Sequence, residues 1–128
     1  MTQENIVRLK IMSHTHTPET ITAMLGVQCD KWWRAGDTRV HTTIVEKDNG
    51  WVRHSGLPRT ADLYAHIKSL LDTLEQVKET IRGLSATETV ELSIVIYSPS
   101  VPALSFNTSA IARMAEFGAG LDIDLYVT

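Results

Sequence analysis

The sequence contains one cysteine, four prolines and no long uninterrupted run of apolar residues. The single cysteine, Cys29, excludes an intrachain disulfide and a zinc site built from cysteine thiolates. The longest apolar runs span about four residues, far fewer than the roughly 20 that a membrane helix needs. The first residues also lack the basic and apolar regions of a secretion signal. We therefore expect a cytoplasmic protein that does not associate with a membrane.

A strong excess of either charge is absent as well. Lys and Arg number 12 against 15 Asp and Glu, which gives a formal net charge of -3. A chain with this balance is poorly suited to neutralising a phosphate backbone, so we predict no nucleic-acid partner. The sequence also lacks the glycine-rich motifs that hold phosphates and the aromatic-rich strands that stack on RNA bases. It predicts no cofactor.

What the sequence does contain is typical of a compact globular chain. It has 128 residues, of which 43% are hydrophobic and 21% are charged. A chain of this size can bury about two thirds of its unfolded surface, which suffices for one core without a metal or a disulfide. We predict a single domain over residues 1–128.

Patterns of apolar residues predict five strands. Val7, Leu9 and Ile11 alternate with polar or larger neighbours, as in a strand with one buried face. The dipeptide Asn49-Gly50 favours a tight turn and so predicts a hairpin that joins the second and third strands. The segment 27–37 shows no period and is predicted to be a loop. The predicted strands are 6–12, 39–46, 51–54, 90–97 and 121–127.

Three helices are predicted from their caps and apolar stripes. Thr17 and Gly26 supply the start and stop signals of the first helix, and Asn107 begins the predicted cap of the third. Thr60 is the predicted cap of a long second helix in which Leu70 and Leu74 belong to a stripe at helical spacing. The predicted helices are 17–26, 60–84 and 107–117. The stripe predicted for the third helix comprises Ile111, Met114, Ala115 and Phe117.

The order of these elements is β-α-β-β-α-β-α-β, which predicts an α+β fold. The first six elements match the ferredoxin-like split β-α-β pattern, and the last helix and strand are an addition. We therefore expect a mostly antiparallel five-stranded sheet with helices on one face; the position of the fifth strand does not follow from the sequence. The residues expected on the opposite, open face are Arg8, Lys10, Met12, Tyr97, Asp122, Asp124 and Tyr126. An open antiparallel face is either a partner surface or a solvated face.

Several short stretches also carry a family resemblance. They are residues 18–22, 25–27, 33–37, 50–51, 62–84, 117–118 and 121–126. Because of their order and spacing, the chain resembles the bacterial domain-of-unknown-function family forty-two seventy-nine. The resemblance covers almost the whole chain and implies an α+β domain of this length. It implies no activity, cofactor or catalytic residue.

The most distinctive local cluster is Trp32-Trp33-Arg34, because aromatic residues and arginine are typical of binding hot spots. We expect one of these two tryptophans to pack inward. The other tryptophan and Arg34 are expected to border a groove near Trp51 and Arg53.

A second candidate site combines His14 and His16 with the carboxylates Asp122 and Asp124. Each pair is spaced two residues apart, so both side chains of a pair can share one side of an extended chain and contribute to a metal site. The two aspartates also have the spacing of an acid–base pair. Alternatively, they solvate one sheet face and pair with Arg8 or Lys10.

These patterns favour a non-catalytic domain that binds a protein partner, or a second copy as a homodimer. The predicted surface is the open face, with Tyr97, Asp122, Asp124 and Tyr126, together with the tryptophan loop. Regulatory or immunity-type binding is consistent with a small acidic α+β domain. The alternative is a small-molecule or metal-dependent enzyme that uses His14, His16, Asp122 and Asp124.

Overall fold

The computed structural model describes residues 2–128. Five strands form one sheet, and four α-helices pack against it. The strands are β1 (Glu4–Ser13), β2 (Lys31–Trp33), β3 (Asn49–His54), β4 (Thr89–Ser98) and β5 (Gly120–Val127). The helices are α1 (Pro18–Leu25), α2 (Leu63–Leu74), α3 (Lys78–Leu84) and α4 (Thr108–Glu116), with a 3₁₀ turn at Glu75–Val77. The predicted α+β class and strand number are confirmed.

The sheet order is β2-β3-β1-β4-β5, so the first strand of the chain lies in the middle. β1 is antiparallel to both β3 and β4, and β2 is antiparallel to β3. β5 adds to the outer edge of β4 as a parallel strand. The sheet is therefore mostly antiparallel, as predicted.

All the helices cover the same face of the sheet. Val7, Leu9 and Ile11 of β1 are buried, whereas the alternate residues of this strand are partly exposed. Leu70 and Leu74 of α2 pack with these strand residues in one apolar core. Burial of such side chains supplies the main driving force for folding. Because the helices lie on this face, the opposite face of the sheet has no helix on it. None of the helices in the described part of the chain has the length and apolarity that a membrane span requires.

The caps of α1 and α4 are formed by the predicted residues. The hydroxyl of Thr17 accepts a hydrogen bond from the N–H of Thr20, and Gly26 ends α1 with a φ of 69°. Asn107 caps α4 by accepting from the N–H of Ala110. These signals depend only on near neighbours in the chain, which is why they can be predicted.

The predicted long second helix is interrupted. α2 begins after Asp62, which accepts a hydrogen bond from the N–H of Tyr64, and not after Thr60. The 3₁₀ turn then separates α2 from α3. Two shorter helices follow the twisted sheet better than one straight helix, and both Leu74 and Ile81 are fully buried in the same core.

The predicted hairpin between residues 39–46 and 51–54 is wrong. Asn49 and Gly50 are not a turn but the first residues of β3, which pairs with β2 and β1. A Cβ at Gly50 would overlap the indole of Trp33, so this glycine makes room for a ring and not for a positive φ. Residues 34–48 form an irregular segment, which we call the arm, with one isolated bridge between Thr38 and Val45.

The apolar stripe predicted for α4 is only partly buried. Met114 and Phe117 lie in the core, and Ala110 packs against it. Ile111 is 53% exposed and Ala115 is also exposed, because the flank of α4 that carries them is not covered by another helix. The prediction that Ile111 and Ala115 belong to the buried stripe of this helix is therefore wrong.

Candidate functional site

Strand register determines which residues lie on the helix-free face, which we call the open face. Arg8 of β1 lies opposite Ser93 of β4, which in turn lies beside Asp122 of β5. Directly paired residues share one face of a sheet. By the same register, the open face carries all seven residues expected there, Arg8, Lys10, Met12, Tyr97, Asp122, Asp124 and Tyr126. Their role in binding remains a prediction.

Charge is segregated across the open face. Lys31 of β2 and Arg8 and Lys10 of β1 lie on one half of the face. Asp122 and Asp124 of β5 lie on the other half, at the opposite edge. The rings of Tyr97 and Tyr126 stack on this acidic half, with centroids 5.2 Å apart. The open face therefore has a basic and an acidic end.

The basic half forms the floor of a concavity of about 560 Å³ beneath the arm. Trp33 lies above Gly50, and the ammonium of Lys31 is 5.9 Å from the centre of the Trp33 ring. Residues that line this concavity include Arg8, Lys10, Met12, Lys31, Trp33 and Val40. We call it the basic cavity. It combines cations with an aromatic ring, and sequence analysis missed it because the arm reaches it from another part of the chain.

The three cations on the floor of the basic cavity form no ion pair in the described structure, although Glu91 of β4 lies opposite Lys10 and the cavity is also lined by Asp37 and Glu46 of the arm. Among residues 2–128, Arg8, Lys10 and Lys31 form no ion pair, whereas Arg39 of the arm binds Glu46 at 2.8 Å. Arg8 donates one hydrogen bond, to the hydroxyl of Ser93 at 3.2 Å. The Nε of Arg8 and the indole nitrogen of Trp33 are buried without a hydrogen-bond acceptor among the described residues. The cavity has an excess of donors and positive charge.

His54 lies close to these cations. Burial is the main cause that lowers the pKa of His54 below its ordinary value, and the charge of Asp30 opposes it. The charges of Arg8 and Lys31 lower the pKa further by smaller amounts. Two cations of the cavity floor thus act on His54, although burial and Asp30 have larger effects.

The three tryptophans have different environments. Trp51 is fully buried, and its indole N–H donates to the hydroxyl of Thr22 at 3.0 Å. Trp32 is 50% exposed, and the guanidinium of Arg34 lies 4.8 Å from its ring centre. Trp33 alone borders the open face with its ring, because successive strand residues point to opposite sides.

The structure does not form the predicted groove bordered by these tryptophans, Arg34 and Arg53. Trp51 is a core residue and offers no surface to a ligand. Arg34 is bound to Glu19 of α1. Arg53 is two residues after Trp51 in β3 and therefore lies on the same face of the sheet. Its guanidinium donates to the carbonyl of Gln28 at 2.9 Å. Register puts Trp51 and Arg53 on the helix face, away from Trp33.

The structure does not bring the predicted histidine and aspartate residues together. Nδ1 of His14 lies 2.7 Å from Oδ1 of Asp48. Nε2 of His16 lies 3.9 Å from Oε1 of Glu88. Asp122 and Asp124 lie on β5, which is separated from β1 by β4. Within residues 2–128, no group of three or more His, Cys, Asp or Glu side chains has a metal-binding arrangement. These residues do not form one site.

A serine–histidine contact that was not predicted lies inside the protein. The hydroxyl of Ser55 is 2.6 Å from Nδ1 of His66, and both residues are buried. Nε2 of His66 is buried without a hydrogen-bond partner in the described structure. Such a pair resembles part of a nucleophile–base arrangement, and both residues line a concavity of about 400 Å³. No carboxylate orients the imidazole, however, because Nε2 of His66 has no partner in the described structure. The contact joins the end of β3 to α2.

The comparisons with known proteins add a family and no activity. No curated protein and no solved structure matches the chain. A family model described as a domain of unknown function, DUF4279, matches residues 2–128. The resemblance expected from the sequence is thereby confirmed, and the chain belongs to the DUF4279 family.

Proposed function

We propose that this domain is a non-catalytic binding module that holds an acidic segment of a protein partner in the basic cavity of the open face. The observation that carries the proposal is the set of three unpaired cations, Arg8, Lys10 and Lys31, on the floor of the cavity. Regulatory or immunity-type binding in the cytoplasm belongs to the same proposal.

Charge complementarity supports a partner with carboxylates. Carboxylates attract both lysine and arginine, and they accept paired hydrogen bonds from a guanidinium. An incoming carboxylate would accept hydrogen bonds from the ammonium groups of Lys10 and Lys31, which form no ion pair among residues 2–128. The net charge of -3 does not oppose this, because the cavity is lined by four cations, Arg8, Lys10, Lys31 and Arg39, against two carboxylates, Asp37 and Glu46.

Apolar groups around the cations support a polypeptide over a bare ion. The ring of Trp33 and the side chain of Met12 border the cavity, and Val40 of the arm is 77% exposed beside it. Protein interfaces commonly place aromatic and arginine anchors inside such an apolar rim. The arm makes few backbone hydrogen bonds to the sheet, so it can adjust to a bound chain.

The test is an NMR titration of isotope-labelled protein with an acetylated peptide of six glutamates. We expect shifts at Arg8, Lys10 and Lys31 and at the indole N–H of Trp33. Arg8→Gln and Lys31→Gln should each weaken binding about tenfold, because a hydrogen bond to a charged group contributes about 1.5–3 kcal/mol. Lys68→Gln is the matched control, since Lys68 is an exposed cation on α2 that binds Asp72. It should leave binding unchanged.

Three further probes identify the class of ligand. A peptide of six lysines should not bind. Inorganic phosphate and a single-stranded oligonucleotide should bind at least tenfold more weakly than the glutamate peptide. The proposal is overturned if the glutamate peptide causes no shifts, if its shifts fall outside the cavity, or if phosphate or the oligonucleotide binds as tightly.

A further inference from the structure

The outer edge of β5 is open. β5 is the last strand of the sheet and pairs only with β4. Its eight residues, Gly120–Val127, include no proline or lysine, which commonly protect an edge strand from pairing with another chain, and its only charges are those of Asp122 and Asp124 on the open face. All of its residues except Ile123 are exposed. A long edge of this kind is a template for a further strand.

One hydrogen bond shows which backbone groups point outward. The N–H of Thr128 donates to the carbonyl of Ser98 on β4 at 2.9 Å. Backbone groups alternate in direction along a strand, so those of Ile123, Leu125 and Val127 point away from β4. These residues can form hydrogen bonds to another strand without disturbing the pairing of β5 with β4.

The helix face of the same edge is apolar. Leu121, Leu125 and Val127 are 44%, 37% and 52% exposed. Ile111 of α4 extends this row, because it lies about 200° around the helix from Arg113, which binds Asp72 of α2. Since α2 packs on the central strand β1, the flank of α4 that carries Ile111 is turned toward the β5 edge. The edge thus offers both hydrogen bonds and an apolar surface.

We propose that a second copy of this chain covers the edge, with the two β5 strands antiparallel about a two-fold axis at Leu125. In this arrangement Leu125 lies opposite its own copy, and Ile123 lies opposite Val127 of the second copy. The outward groups of these residues then form about six hydrogen bonds between the strands. The two sheets become one continuous sheet, and the exposed isoleucines of the two α4 helices approach each other.

Charge and overlap together select this register over its neighbours. An axis at Tyr126 would leave only Leu125 and Val127 to pair through their outward groups, with about four hydrogen bonds. An axis at Asp124 would place this aspartate opposite itself, and an axis at Ile123 would place Asp122 opposite Asp124. Like charges directly opposite destabilise a strand pair. With the axis at Leu125, Asp124 lies opposite Tyr126 and Asp122 lies opposite Thr128. In this register the apolar residues Ile123, Leu125 and Val127 pair with one another and no aspartate lies opposite an aspartate, which is the argument for a second copy over an unrelated strand.

The first test measures the mass of the protein in solution up to a concentration of about 1 mM, which detects dimers with a free energy of association near 4 kcal/mol. We expect twice the chain mass, and the chain mass alone for Leu125→Lys. Met24→Lys is the matched control, because Met24 is exposed to a similar extent, 43%, but lies on α1, which packs on β3 away from the β5 edge. A wild-type monomer at every concentration, or a dimer unaffected by Leu125→Lys, overturns the proposal.

The second test reads the register by cross-linking in a Cys29→Ser background. Leu125→Cys should form a disulfide-linked dimer under mild oxidation, since residues opposite each other lie within disulfide range. A mixture of the Ile123→Cys and Val127→Cys proteins should also cross-link, whereas Asp124→Cys alone should not. Efficient cross-linking of Asp124→Cys with none at Leu125→Cys contradicts the proposed register. Arg8→Gln should leave the dimer intact, which separates this edge from the basic cavity.

Discussion

The indole of Trp33 occupies the space above Gly50 that a Cβ would need. This contact fixes the position of Trp33 on the open face and joins β2 to β3. It also explains why glycine is required at a position where the backbone is extended.

Gly50→Ala should therefore lower the free energy of unfolding by about 1–3 kcal/mol, because the added methyl group must displace the ring. Denaturant unfolding measures this cost, and the indole N–H resonance of Trp33 should move. Gly83→Ala is the control. It lies within α3 with open space around its Cβ position, so the same substitution should stabilise the protein by up to about 1 kcal/mol. A neutral Gly50→Ala would contradict the contact.

The tryptophans should differ widely in their contributions to stability. Trp51→Ala should cost about 3–5 kcal/mol, because it leaves a cavity in the core and removes the partner of Thr22. Trp32→Ala should change the free energy of unfolding by less than about 1 kcal/mol, since half of this side chain is exposed. Equilibrium unfolding in urea measures both. Similar costs for the two variants would show that Trp51 is not the buried anchor.

The pKa of His54 should respond to its charged neighbours in opposite directions. Burial is the main cause of its lowered pKa, followed by the opposing effect of Asp30 and the lowering effects of Arg8 and Lys31. Arg8→Gln should raise the pKa, and Asp30→Asn should lower it further. NMR titration of the imidazole measures both shifts, with Lys68→Gln as a control that should cause none. A lower pKa in Arg8→Gln would disprove the positive potential of the basic cavity.

The lowered pKa also determines how His54 affects stability. At pH values between the folded and unfolded pKa, the unfolded state binds more protons than the folded state. The contribution of His54 to the free energy of unfolding therefore falls as the pH drops below the unfolded value of about 6.5. It stops changing once the pH is below the folded pKa. His54→Gln should reduce this slope in unfolding experiments between pH 7.5 and 5.

Ser55→Ala should destabilise the protein by about 1–3 kcal/mol, because Nδ1 of the buried His66 then loses its hydrogen-bond partner. Thermal unfolding measures the loss. Ser109→Ala is the control, since this exposed serine lies in the first turn of α4 and should cost less than about 0.5 kcal/mol. If both substitutions have the same small effect, the Ser55–His66 contact contributes nothing to stability.

The features that sequence analysis predicted are those written in local patterns. The alternation of Val7, Leu9 and Ile11 identified the buried face of β1 and so the residues of the open face. Caps such as Thr17 and Asn107 were found because their hydrogen bonds span only three residues. The strand order could not be predicted, because it depends on contacts between distant segments.

The errors share a physical cause. Residues 39–46 have high strand propensity but lack a partner strand, so propensity alone did not make them a strand. The strand that occupies the predicted place of residues 39–46 beside β3 is the three-residue strand Lys31–Trp33, which is too short to show a period. The basic cavity was missed because its floor, on β1, and its cover, the arm, come from segments that are distant in the sequence. The contact between them is set by tertiary packing.

The central place of β1 has a consequence for biosynthesis. A ribosome makes β1 before both of its neighbours, and one of them, β4, ends only at Ser98. Most of the chain must leave the exit tunnel before the middle of the sheet is hydrogen-bonded on both sides. Pairing over such sequence distances is slow compared with helix formation. The middle of the sheet is therefore completed late in translation. Until β4 has been made, β1 lacks one of its two neighbouring strands.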